Sequence, residues 1–157
     1  MKKALIILPI AGLLLVALAV AQVSEDIIVS ADVQPYYSVV FNYASVSFCA
    51  VYPGPDIPAP GNSIGAYNVS IEANIALRLN ASKTPWMPAD APGFVLEFAS
   101  GYEIPTAPAY IIDVISTTVG YTSPGVFTHY HAYWLDIPPE LLPDIYLTTV
   151  TLTYEPA

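Results

Sequence analysis

The sequence is poor in cysteine, histidine and basic residues, with one, two and four of them in 157 positions. Each shortage excludes something. A lone Cys49 cannot build an internal disulfide framework. Within YASVSFCAVY it is expected to act as a small buried apolar residue, with an intermolecular disulfide as the alternative. From Gln22 onward only Arg78 and Lys83 face thirteen acidic residues. Nucleic acid and anionic lipid need clustered Lys or Arg, so both are excluded as partners. An acidic surface keeps the chain soluble and draws protons or divalent cations as neutralisers. Catalytic signatures are missing too. No Gly-x-Ser-x-Gly occurs, and Cys49 lacks the flanking residues of a cysteine hydrolase. Eighty residues separate Cys49 from His129, too far for a blue-copper site. The acids are scattered without a pattern that suggests a glycosidase pair. The expectation is a protein that is not an enzyme and carries no cofactor.

What is present begins with Lys2 and Lys3, an apolar run from Ala4 to Val20, and Ala19-Val20-Ala21. That order is the basic region, apolar region and small-x-small cleavage site of a secretory signal peptide. Residues 1–21 are therefore expected to be removed between Ala21 and Gln22, with membrane contact only before cleavage. A retained anchor is the alternative, because the run is close to the shortest that spans a bilayer. The 136 residues that follow suit one domain.

Directly after the cleavage site, Ile27, Val29, Ala31 and Val33 alternate with Ile28, Ser30, Asp32 and Gln34. This is strand periodicity with one apolar face, left at a free chain end. Beyond it, fifteen prolines, twelve tyrosines and abundant Val, Ile and Thr, with no helical period, point to an all-β domain over residues 35–157. In NVSIEANIALRLN, Val69, Ile71, Ala73, Ile75, Leu77 and Leu79 share one face and Ala76 is the one lapse. Further strands are expected in YSVVFNYASVSFCAVY, GFVLEFAS, AYIIDVISTTVG, VFTHYHAYWLDI and DIYLTTVTLTYE. PGPDIPAPGNSIG, KTPWMPADAPG, IPTAPA, TSPG and IPPELLP read as turns. Six to eight strands so spaced predict an antiparallel β-sandwich, jelly-roll-like, with one face of each strand in the core.

Two motifs could carry chemistry. His129 and His131 lie two apart on one strand face, a usable metal geometry, and resemble the cupin His-x-His pair with Asp136 near that family's acid. The second cupin histidine motif and the glycine that follows the pair are missing, so polar decoration of a strand face is the preferred reading. Asn68-Val69-Ser70 and Asn80-Ala81-Ser82 are glycosylation sequons on the polar side of the most regular strand.

SEDIIVSADV after the leader, SVSFCAVYPG leading through a proline-rich turn to YNVSIEANIALRLNAS, and the closing DIYLTTVTLTYEPA carry a family resemblance. In their order of strands and turns they resemble the archaeal bundling pilins and the bacterial TasA-type biofilm fibre proteins. The resemblance implies a secreted, cell-surface filament built by donor-strand complementation. Residues 22–34 of one subunit would complete the sheet of the next, with Ile27, Val29, Ala31 and Val33 in a groove. The partner is then another copy of the chain, joined head to tail, with neighbouring filaments as lateral partners. The alternative is a secreted or cell-surface binding domain for carbohydrate or metal, whose N-terminal strand folds into its own sheet. A type IV pilin route, with the apolar segment kept after a cut near Lys3 or Ala4, conflicts with the Ala-x-Ala site.

Overall fold

The structure, a computed structural model, describes residues 30–89 and 93–157, so Ile27, Val29 and the Ala21/Gln22 junction lie outside it. The unit Gln34–Ala157 is an all-β sandwich of two antiparallel sheets packed face to face. Its described strands are β1 (Tyr37–Phe41), β2 (Gly54–Pro58), β3 (Asn68–Ala73), β4 (Leu77–Lys83), β5 (Val95–Gly101), β6 (Tyr110–Ile112), β7 (Thr117–Thr122), β8 (Gly125–Ile137) and β9 (Val150–Pro156). The larger sheet runs β1-β3-β8-β5-β6, with β2 also on β8, and the smaller runs β7-β4-β9.

The run expected as one strand from Asn68 is two strands in different sheets, β3 on β1 and β8 and β4 on β7 and β9. The chain turns the corner at residues 74–76. There Asn74 ties the bend by donating its backbone N–H to the Tyr36 carbonyl and its side-chain amide to that of Gln34. Alternation survives the corner because both strands turn the same set of side chains toward one shared interior. Val69, Ile71, Ala73, Leu77, Leu79 and Ala81 are all buried there. Each large aliphatic in that set contributes about 1.5–3 kcal/mol.

Thirteen-residue β8 is the axis of the larger sheet. On one side β5 pairs with Tyr130–Asp136. On the other, β3 covers Gly125–Tyr130 and β2 begins at Trp134, which leaves a gap in the ladder. Buried backbone groups cannot be left unpaired without cost, and two substitutes fill the gap. The Tyr67 carbonyl accepts from the His131 N–H. Asn62, itself buried, donates its side-chain amide to the Tyr133 carbonyl at 2.7 Å and accepts the Tyr133 N–H at 3.0 Å. One side chain stands in for a missing strand residue.

β2 lies in GPDIP, a stretch whose prolines and aspartate read as a turn. It pairs with β8 alone and carries a bulge between Gly54 and Ile57, and such an edge tolerates proline. Conversely, YSVVFNYASVSFCAVY is strand only over β1. AYIIDVISTTVG breaks into β6 and β7, which lie in different sheets.

Candidate functional site

The smaller sheet has three strands against six, and β9 is its last: β4 pairs along one side of β9 and no described strand pairs along the other. Upstream of β9 the same edge continues. Leu147 exchanges backbone hydrogen bonds with Met87, and Thr149 accepts from Thr84, all on the β4 side. Inward positions Tyr146, Val150, Leu152 and Tyr154 are half-buried or buried, whereas Thr149, Thr151 and Thr153 are exposed, as the alternation predicts.

Beside this edge lies a groove of about 1450 Å³. Its floor is apolar, formed by Trp86, Phe94, Leu96, Tyr133 and Leu135 from the core. Trp86 and Phe94 stack at 4.4 Å between ring centroids. The Trp86 indole N–H is buried with no partner among the described residues. One wall is the run from Ile145 through Leu152, and the other is the segment from Tyr43 to Pro53, which belongs to no strand. The groove and its rim include exposed Val51, Tyr52, Leu142, Ile145 and Leu147. Contiguous exposed apolar surface of this kind marks an interaction site.

Cys49 lies in that wall and is exposed, contrary to the burial expected for it. It has a left-handed φ of 55°, and its N–H donates to the Ser47 hydroxyl at 3.3 Å. Of the four residues expected to enter a groove, Ala31 and Val33 are described, and both are exposed, Val33 at 76%.

The histidines decorate no outer face. His129 and His131 are 2% and 0% exposed, pointing into the core with Tyr133 and Leu135 on the same parity of β8. Asp136 has the opposite parity, so the three candidate metal ligands are not brought together. Five side chains form one hydrogen-bonded line. The Tyr43 hydroxyl lies 2.6 Å from both the Tyr133 hydroxyl and His131 Nδ1. The Tyr154 hydroxyl lies 2.9 Å from His131 Nε2 and 2.7 Å from His129 Nδ1.

The line can run in either of two consistent senses, from Tyr133 toward His129 or from His129 toward Tyr133, and in both Tyr43 and Tyr154 each donate once and accept once. Both His131 nitrogens are thereby engaged, with none left for a metal. Burial holds both imidazoles neutral, His129 lowered to about 4 and His131 to about 3, the latter also through its proximity to His129. Burial likewise pushes Tyr43 up to about 12 and raises Tyr133 and Tyr154.

On the outer face of the larger sheet, Asp56, Glu97 and Asp136 bring carboxylate oxygens within 4.8 Å of one another. The bulge in β2 aims the Asp56 N–H at Asp136 Oδ1, 2.7 Å away, with Asp56 at a left-handed φ of 49°. Glu97 is raised to about 7, first by desolvation and then by the charges of Asp136 and Asp56 and a hydrogen bond with Asp56. Holding a proton there lets three acidic groups share the spot. Sequence spacing could not reveal this cluster, because three separate strands supply it.

The sequon asparagines are half-buried and engaged. Asn68 donates to the Gly65 carbonyl and accepts from Asn42. Asn80 donates to Glu155 and accepts from Thr118. Both lie opposite the buried side of their strands, as expected.

Comparison with protein-family models and with curated proteins finds no match. Among the described residues no helix is long and apolar enough to cross a membrane.

Proposed function

We propose that this chain is a secreted structural subunit that polymerises head to tail, residues 23–34 of one copy entering the groove beside β9 of the next. The observation that carries this reading is the juxtaposition of an edge with no second partner strand among the described residues and an apolar groove whose rim is exposed. A sheet edge of this kind is a template for β-augmentation, and alternate side chains of the incoming strand fill the groove. Ile27, Val29, Ala31 and Val33 have the required period. Because donor and acceptor surfaces differ, the contact propagates as an open filament.

Magnitudes set what one strand can do. Burying Ile27, Val29 and Val33 contributes about 5–9 kcal/mol at roughly 1.5–3 kcal/mol each. Each backbone hydrogen bond adds about 0.5–1.5 kcal/mol. Association costs about 4–15 kcal/mol, so contacts from the rim, such as Tyr52 and Ile145, are needed for a durable filament.

The test uses the full chain, purified after leader removal. Electron microscopy should show filaments of the wild type and only folded monomers of Ile27→Asp with Val29→Asp, since two carboxylates would be buried without partners. A wild-type protein that stays monomeric at high concentration, with residues 23–34 paired in its own sheet, would overturn the reading. A secreted binding domain draws on the same groove, through its aromatic floor and the Trp86 N–H, which has no partner among the described residues. In that case the double substitution leaves no assembly to lose and lowers monomer stability instead.

A further inference from the structure

The wall of the groove opposite β9 has the composition of a strand but not its pairing. In residues 45–49, Val46 and Phe48 are half-buried against the core while Ser45, Ser47 and Cys49 are exposed, the two-residue alternation of a strand with one apolar face; Tyr43, also half-buried, is out of that phase. Yet the segment is in no sheet. Among the described residues, no backbone–backbone hydrogen bond outside the strands involves residues 43–53. The alternation ends at Cys49, where φ is 55° and the N–H donates to the Ser47 hydroxyl. For a residue with a Cβ this conformation is costly, and the local serine bond, at 3.3 Å, is a weaker substitute for a ladder bond.

We propose that residues 45–52 become a strand when the groove is filled, so that the incoming segment is paired on both sides, by β9 on one and by residues 45–52 on the other. The inference rests on the filament reading and adds to it a partner edge and a conformational step. The smaller sheet would grow from three strands to five, in the order β7-β4-β9-donor-wall. Two paired edges double the backbone hydrogen bonds available to a donor of given length, which helps a short segment hold. Cys49 would pass from the left-handed region to extended backbone as its N–H exchanges the Ser47 hydroxyl for a ladder or solvent partner.

The experiment takes the full chain carrying Ile27→Asp with Val29→Asp, which lacks a working donor, and adds a synthetic peptide of residues 23–34. Peptide affinity is followed by fluorescence anisotropy and backbone protection by amide hydrogen exchange. Binding should slow exchange at several of residues 45–52 by at least about tenfold, together with the β9 edge. Cys49→Val, which disfavours the left-handed conformation, should tighten peptide binding by roughly fivefold, and Cys49→Gly, which favours it, should weaken binding by a similar factor. A peptide that binds and protects β9 while residues 45–52 exchange as before overturns the inference and leaves the filament reading standing. Equal affinities for the Cys49→Val and Cys49→Gly proteins overturn it as well. A peptide that fails to bind overturns both.

Discussion

A buried imidazole is a stability term that depends on pH, and its sign follows from which state binds protons more readily. The unfolded chain takes up protons on His129 and His131 near the usual value of 6.5, whereas the folded chain resists until about 4 and 3. Stability is therefore complete above pH 6.5 and is lost as pH falls through that window. With about 1.4 kcal/mol for each tenfold change in proton affinity, His129 alone accounts for about 3 kcal/mol. Denaturant unfolding at pH 7.5 and pH 4.5 should show a loss of at least that order. His131→Leu should cost about 1–3 kcal/mol at neutral pH, since the Tyr43 and Tyr154 hydroxyls lose a partner, while flattening the acid limb. Glu97 acts in the opposite sense. Its carboxyl, raised to about 7 from 4.5, is protonated more readily in the fold than out of it, so its contribution falls as pH rises between those values. Glu97→Gln should raise the melting temperature more at pH 8 than at pH 5, and an equal shift at both would show that the crowding of the three carboxyls is relieved by something else.

Among the elements, β8 shows how much a strand depends on what lies beside it. Its length and alternation are plain in VFTHYHAYWLDI, and its buried parity could have been found from Leu135, which shares a side with both histidines. The gap between β3 and β2 could not, because it depends on where two other strands stop. Asn62 fills that gap, so Asn62→Leu should leave the Tyr133 N–H and carbonyl short of partners and lower stability by about 1–3 kcal/mol in urea unfolding. A neutral result would mean that water or the Ala59 N–H, which also donates to the Tyr133 carbonyl, suffices. Residues 43–53 are the converse: strand-like in composition, yet outside either sheet.

For the whole molecule, the proposed assembly is coupled to charge. From Gln22 onward thirteen acidic residues face two basic ones, so subunits joined as proposed would repel one another, and the groove rim itself includes Glu140 and Asp144. Polymerisation of purified subunits, followed by light scattering, should accelerate between about 0.01 and about 0.15 M salt, as the screening length shrinks from roughly 30 to roughly 8 Å. Slower growth with salt would mean that complementary charges, rather than apolar surface, draw the subunits together.

Periodicity and composition alone determined that this is an all-β protein whose strands each bury one face, because a two-residue repeat in Val, Ile and Tyr has one stable solution in water: a sheet covered on one side. They placed the buried side of Val69–Leu79 and the inward set Tyr146, Val150, Leu152 and Tyr154 correctly. They were silent on partners. Alternation is the same whether a strand joins one sheet or the other, so the corner at residues 74–76, the split of β6 from β7 and the meeting of Asp56, Glu97 and Asp136 were decided only by the tertiary structure. His129 and His131, expected on an outer strand face, point inward for a related reason. Polarity suggested water, but two tyrosine hydroxyls from distant parts of the chain supply what water would have supplied, and such partners become visible only once the sheets are packed.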